Sequence, residues 1–313
     1  GGTCTFNITN NLSLSSANSA DIFRVIALTN ISSNVNTAKL NFNIGGNLTI
    51  NGHPNAEFTS SAGAGTETVT VGGNVNIFNG LNSFNYSTNA IAAHANSLSI
   101  TGNFTQTGGN TFLSRLAGIH SLQVTGAFSL SAGVVAMKSS VGASNGNIDG
   151  NMQVSGGFLY LHNNAVEVTA DPCTLTVNGT FTHSNGNITF DDNISNSSAQ
   201  HWLILKGNTC TLSGAAIMTH AGAGSCTAFG ILSFNRSGLI NYSRVATHAL
   251  QQIKQRVENA CTLRVVNGSI QTATHALAGT DYFRIRTGGR VELGTNQILS
   301  NANFANTGVQ VDS

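Results

Sequence analysis

Charge is what this chain has least of. Only 8% of its 313 residues are Asp, Glu, Lys or Arg, where soluble globular domains carry roughly 25%. The formal net charge is +1, which argues against a whole-chain electrostatic role on nucleic acid or a membrane surface. Proline occurs twice, and the turns rest on glycine, asparagine and serine instead. No run approaches the ~18 apolar residues of a membrane span. The five cysteines, Cys4, Cys173, Cys210, Cys226 and Cys261, are odd in number and show no zinc-ligand spacing. Cys210 and Cys226 could pair if the fold brings them together; otherwise the thiols act as small apolar fillers. No P-loop, dinucleotide fingerprint, Gly-x-Ser-x-Gly elbow or His-Glu-x-x-His helix is present.

What the chain has is a repeated alternation. Leu122-Gln-Val-Thr-Gly126-Ala-Phe128-Ser-Leu-Ser-Ala-Gly133 alternates apolar and polar residues to a glycine, restarts, and reaches a second glycine. Aligned on the first glycine, the text returns at Gly46, Gly73, Gly102, Gly126, Gly150, Gly179 and Gly207, in steps of 24–29 residues. Two residues before each anchor stand Ile44, Val71, Ile100, Val124, Ile148, Val177 and Leu205. Two after it come Leu48, Val75, Phe104, Phe128, Met152, Phe181 and Thr209, and eleven after it, from Gly73 on, Phe84, Leu113, Met137, Leu161, Phe190 and Met218. Period-two alternation gives each short run one buried and one wet face. The same residue class at the same column in every unit means that the units stack in register, since one unit cannot bury its apolar face alone. The expected fold is therefore all-β: a parallel β-helix, or β-solenoid, of about a dozen coils. Propeller blades need roughly 40 residues or more, so these repeats are too short for one.

The organisation expected is one continuous solenoid with irregular first coils over 1–39, regular coils over 40–229 and looser, basic coils over 230–313. The opening Gly-Gly-Thr-Cys4 shows no leader, and the chain stops within an alternating pattern at Val311. It reads as a segment of something longer.

Units such as Leu98-Ser-Ile-Thr-Gly-Asn-Phe-Thr-Gln-Thr-Gly-Gly109 and Leu175-Thr-Val-Asn-Gly-Thr-Phe-Thr-His-Ser-Asn-Gly186 resemble the degenerate repeats of large secreted Bacteroidota surface proteins, including the gliding-motility adhesin and related type IX-secreted proteins. That resemblance implies an extracellular, cell-surface location and a structural role as the shaft of a filament or adhesin in attachment or motility. It brings over no catalytic residues and no cofactor. Its implied partners are further repeats of the same chain, neighbouring filament subunits or surface glycans, with no nucleic acid and no membrane span. The alternatives are a carbohydrate-binding or carbohydrate-cleaving β-helix, and a phage tail fibre or tailspike.

Three groups of residues invite a chemical reading. Asp191-Asp192 is the one adjacent carboxylate pair. With Asn193 it could ligate Ca²⁺, which takes several oxygens; the plainer expectation is a solvated turn. The histidines fall partly at coil spacing, His94 with His120 and His248 with His275, which suggests an exposed or hydrogen-bonded ladder. Finally, Arg236, Arg244, Arg256, Arg284, Arg286 and Arg290 crowd the C-terminal third, while residues 139–205 hold five acids and no base. Such a basic face could take an anionic glycan or partner, although the aromatic interleaving of a nucleic-acid platform is missing.

Overall fold

The computed structural model describes residues 2–312 apart from 25–26, 29–38, 59, 62–64, 85, 88–94, 115–118, 140–141, 164–170, 193–199, 221–229, 272–282 and 300–308. Among the described residues there is no helix, and parallel strands stack into a β-solenoid. One long sheet runs through the molecule in chain order with twelve strands, from Thr3–Ile8 through Ile119–Val124 to Val309–Val311. Consecutive coils supply consecutive strands, so Leu98 lies beside Leu122 and Val124 beside Ile148.

The sequence columns become the core. Ile44, Val71, Ile100, Val124, Ile148, Val177 and Leu205 are all buried, each against the same column in neighbouring coils. Burying an aliphatic side chain of this size contributes roughly 1.5–3 kcal/mol. Phe104 and Phe128 stack from adjacent coils with centroids 4.8 Å apart, and Phe58 and Phe84 at 4.9 Å.

After each anchor the chain turns onto a second face and then a third. In several coils these are one bent strand, as in Val75–Ser83, Met152–His162 and Phe181–Thr189. The bend falls at glycines with positive φ, Gly80 (112°), Gly157 (71°) and Gly186 (78°), where other residues are strained. The anchors need glycine for another reason. A Cβ on Gly126 would lie 2.5 Å from the carbonyl oxygen of Gly102, and one on Gly150 2.5 Å from that of Gly126.

The regular solenoid comprises about seven turns, those carrying the seven glycine anchors. The expected dozen is corrected accordingly: twelve strands line the long sheet, but the outer coils lack the anchor. Asn10, for instance, sits where Gly46 looks back, its carbonyl accepting the Gly46 N–H at 3.1 Å.

Residue counting also slipped at the seventh turn. Phe181 pairs with Cys210, not Thr209, and Met218 pairs with Ile188, two positions short of Phe190. One extra residue ahead of Cys210 and a second between Leu212 and Ile217 shift the register, so Cys210 fills the apolar column and Thr209 is only part-buried.

Candidate functional site

The chemistry-bearing residues gather inside the coil, at the corner where the third face turns back to the long sheet. Met152–His162 ends its third-face segment there, and Phe181–Thr189 repeats the segment one coil on, with Tyr160 paired to Thr189. Two positions beyond that pair stand His162 and, one coil further, Asp191. The next coil opens its long-sheet strand, His201–Leu205, with His201 on the inward face. Three successive coils thus deliver three side chains to one place.

All three side chains are wholly buried. His162 Nδ1 lies 2.9 Å from Asp191 Oδ1, and His201 Nε2 lies 3.5 Å from Asp191 Oδ2. The rings of His162 and His201 stack with centroids 5.4 Å apart, and His220, also buried, lies 6.5 Å from His201 by the same measure. The backbone fixes the His201 tautomer: Cys173 N–H donates to His201 Nδ1 at 3.1 Å, so the ring proton sits on Nε2 and faces Asp191. Burial lowers the His201 pKa, opposed by the Asp191 carboxylate and assisted by His162 and Lys138. Burial likewise pushes His220 down to about 4. Burial thus favours the neutral form of both rings.

One coil below, Lys138 is level with His162. Its ammonium donates to the carbonyls of Gly142 (3.0 Å) and Asp171 (2.9 Å), while Gly142 N–H donates to Asp171 Oδ2 at 2.8 Å.

A second interior polar group lies along the column Ile50, Ile77, Gln106, Leu130, Val154, His183, Leu212 and Arg244. Gln106 Nε2 donates to Gly109 O at 3.0 Å, and His183 Nε2 lies 3.2 Å from Gly186 O. Both cap the carbonyl of the bend glycine from inside. His183 Nδ1 then accepts from His248 Nε2 at 2.9 Å, and Arg244 donates to His248 O and Gln271 Oε1.

The expected sites change character. Asp191 and Asp192 are not a solvated pair: Asp191 is fully buried, while Asp192 is part-buried and its charge helps raise the pKa of Tyr160, after burial. Imidazole nitrogens surround Asp191, a set that suits zinc-like metals better than the all-oxygen shell of calcium. Asn193 lies outside the described residues. The histidine ladder is not exposed, since all seven described histidines are buried; His94 and His275 lie outside the described residues. So does Cys226, while Cys210 is a buried thiol raised in pKa by desolvation.

One member of the expected basic face is corrected. Arg244 is buried within the coil. Arg284 and Arg286 reach Asp312 at 3.0 and 3.5 Å, and Arg290 reaches Glu292 at 3.2 Å. Arg256 lies over the Trp202 ring, 5.0 Å from its centroid, and Arg236 donates to Lys206 O at 3.3 Å. Asp312 and Glu292 thus offset part of this charge.

Counting along the sequence did not single out His162 and His201. A signal was present: His162 and Asp191 are 29 residues apart, the same as the local coil step from Gly150 to Gly179.

Comparison with known proteins finds no matching family model, no matching curated protein and no matching solved structure.

Proposed function

We propose that this chain is a shaft segment of a secreted, cell-surface β-solenoid filament or adhesin, acting mechanically in attachment or motility and not as a catalyst. The observation that carries the reading is the long parallel sheet, in which every coil is bonded to the next through strands in register. Load along such a rod is shared by many backbone ladders, and no single contact has to bear it.

The outer surface supports the same reading. It is dressed in amides that bond from coil to coil: Asn43 Nδ2 donates to Asn7 Oδ1 at 2.8 Å, Asn147 to Gln123 Oε1 at 2.9 Å and Asn178 to Asn147 Oδ1 at 3.0 Å. A surface so poor in charge and so well bonded suits a spacer exposed to proteases. Its partners would be further repeats, neighbouring subunits or glycans. Limited proteolysis with negative-stain imaging tests this: a resistant rod is expected, on the order of 55 Å for twelve strands at the usual ~4.8 Å spacing. A rapidly digested or globular particle contradicts it.

One observation favours carbohydrate binding as a second reading. Phe158 is 42% exposed and lies with Tyr160 on the outward face, their rings near-parallel at 6.3 Å. A glycan array on wild type and Phe158→Ala separates the two: binding lost with the aromatic ring would make the rod a lectin-like surface as well.

A further inference from the structure

We propose that His162, Asp191 and His201 form a transition-metal site of zinc type that ties three successive coils together. The proposal stands independently of the shaft reading.

Geometry comes first. One ligand atom from each residue lies within 4.8 Å of the others. Tetrahedral zinc, with bonds of ~2.0–2.2 Å to nitrogen and oxygen, sets its ligands roughly 3.3 Å apart. His162 and His201 approach different oxygens of Asp191, at 2.9 and 3.5 Å, so a turn of the carboxylate and a small closing movement of the two rings bring the three donors onto one ion. Two imidazoles and a carboxylate are a recurring zinc donor set, with the fourth position left to water.

The second observation is His201 itself. Its side chain is wholly buried, and its Nε2 meets the carboxylate only at 3.5 Å, beyond a well-formed hydrogen bond. A buried polar atom left in that state is costly, and a shared cation would satisfy it. Charge is favourable at the centre, where Asp191 supplies the anion. Lys138 opposes a cation, but its ammonium sits one coil below and donates to the carbonyls of Gly142 and Asp171.

Ligation rearranges protons without releasing them. The His162 proton moves from Nδ1 to Nε2, and the His201 proton from Nε2 to Nδ1. The second shift breaks the bond from Cys173 N–H to His201 Nδ1. Bonds from the ion to two imidazoles and a carboxylate take the place of that one hydrogen bond. Loading therefore has a local signature, a change at the Cys173 amide.

The test refolds the full chain from denaturant in the presence of Co²⁺, so that burial does not block entry. Expected are one cobalt per chain, the intense visible absorption of a tetrahedral nitrogen–oxygen site, and displacement by Zn²⁺ with a higher melting temperature. His162→Ala and Asp191→Asn should lose the absorption and at least a hundredfold in affinity, while Asp192→Asn keeps both. The wild-type spectrum decides even if a variant fails to fold. Wild type that refolds without stoichiometric cobalt overturns the proposal, as does binding unchanged in Asp191→Asn.

Discussion

His120 stands inside the solenoid between Asn96 and Ser144 of the neighbouring coils, and burial alone lowers its pKa to about 4. His183 is lowered to about 4 and His248 to about 3, again chiefly by burial. Each is neutral in the folded chain, whereas the unfolded chain takes up a proton near pH 6.5. Stability should therefore be flat above pH 6.5 and fall as the pH drops through the folded values. For His120 the loss by pH 4 is on the order of 3 kcal/mol. Melting temperature against pH checks this, and His120→Leu should flatten part of the slope. A curve unchanged between pH 7 and 4 would contradict the neutral interior.

Two glycines separate clash from strain. At Gly150 a Cβ would strike the carbonyl of Gly126, whereas at Gly52 (φ 77°) it would meet nothing within 4 Å. Gly52→Ala should cost only the left-handed penalty of about 1–2 kcal/mol. Gly150→Ala should cost clearly more, because the coils themselves must part. Equal losses in urea melts would show that the coils are looser than described.

Residue identity made the aliphatic columns legible, because Ile44, Val71 and Ile100 repeat one class at one spacing. It did not reveal that Asp191 points inward. A corner residue's direction depends on where the chain turns, which period-two alternation does not specify. Gln106, His183 and Arg244 were legible in principle, as polar exceptions in a column otherwise held by Ile50, Ile77, Leu130, Val154 and Leu212.

At the scale of the strand and its corner, the residue after the anchor does unexpected work. Asn11 Oδ1 accepts from Asn47 N–H at 2.8 Å, Asn47 from Asn74 at 2.7 Å, Asn74 from Asn103 at 2.8 Å and Asn103 from Ala127 at 2.8 Å. The ladder resumes where Asn151 accepts from Thr180 at 2.9 Å. Each amide satisfies a corner N–H of the next coil that the strand ladder does not reach. The Gly-Asn pairs at 46, 73, 102 and 150 announced it, but alternation directs attention to apolar positions and passes over them. Asn74→Ala should cost about 0.5–1.5 kcal/mol, because the exposed Asn103 N–H is handed to water. Ala127 interrupts the ladder, so Ala127→Asn should stabilise by about 0.5–1.5 kcal/mol, read as a higher denaturation midpoint at unchanged m-value. A destabilised Ala127→Asn would mean that the corner is too tight for the amide.

For the whole molecule, the long sheet and the buried columns make stability a sum over neighbouring coils more than a single core. The buried His162–Asp191–His201 corner adds a polar tie at three coils of that stack. The shaft reading predicts mechanical behaviour in kind: coils should yield one after another, because each is bonded mainly to the coil before and after. Single-molecule pulling on the full chain from its two ends tests this most directly. A series of force peaks is expected, with contour increments of roughly 80–100 Å as each coil of 24–29 residues is drawn out at ~3.3–3.6 Å per residue. A single release of the whole chain at low force would contradict it.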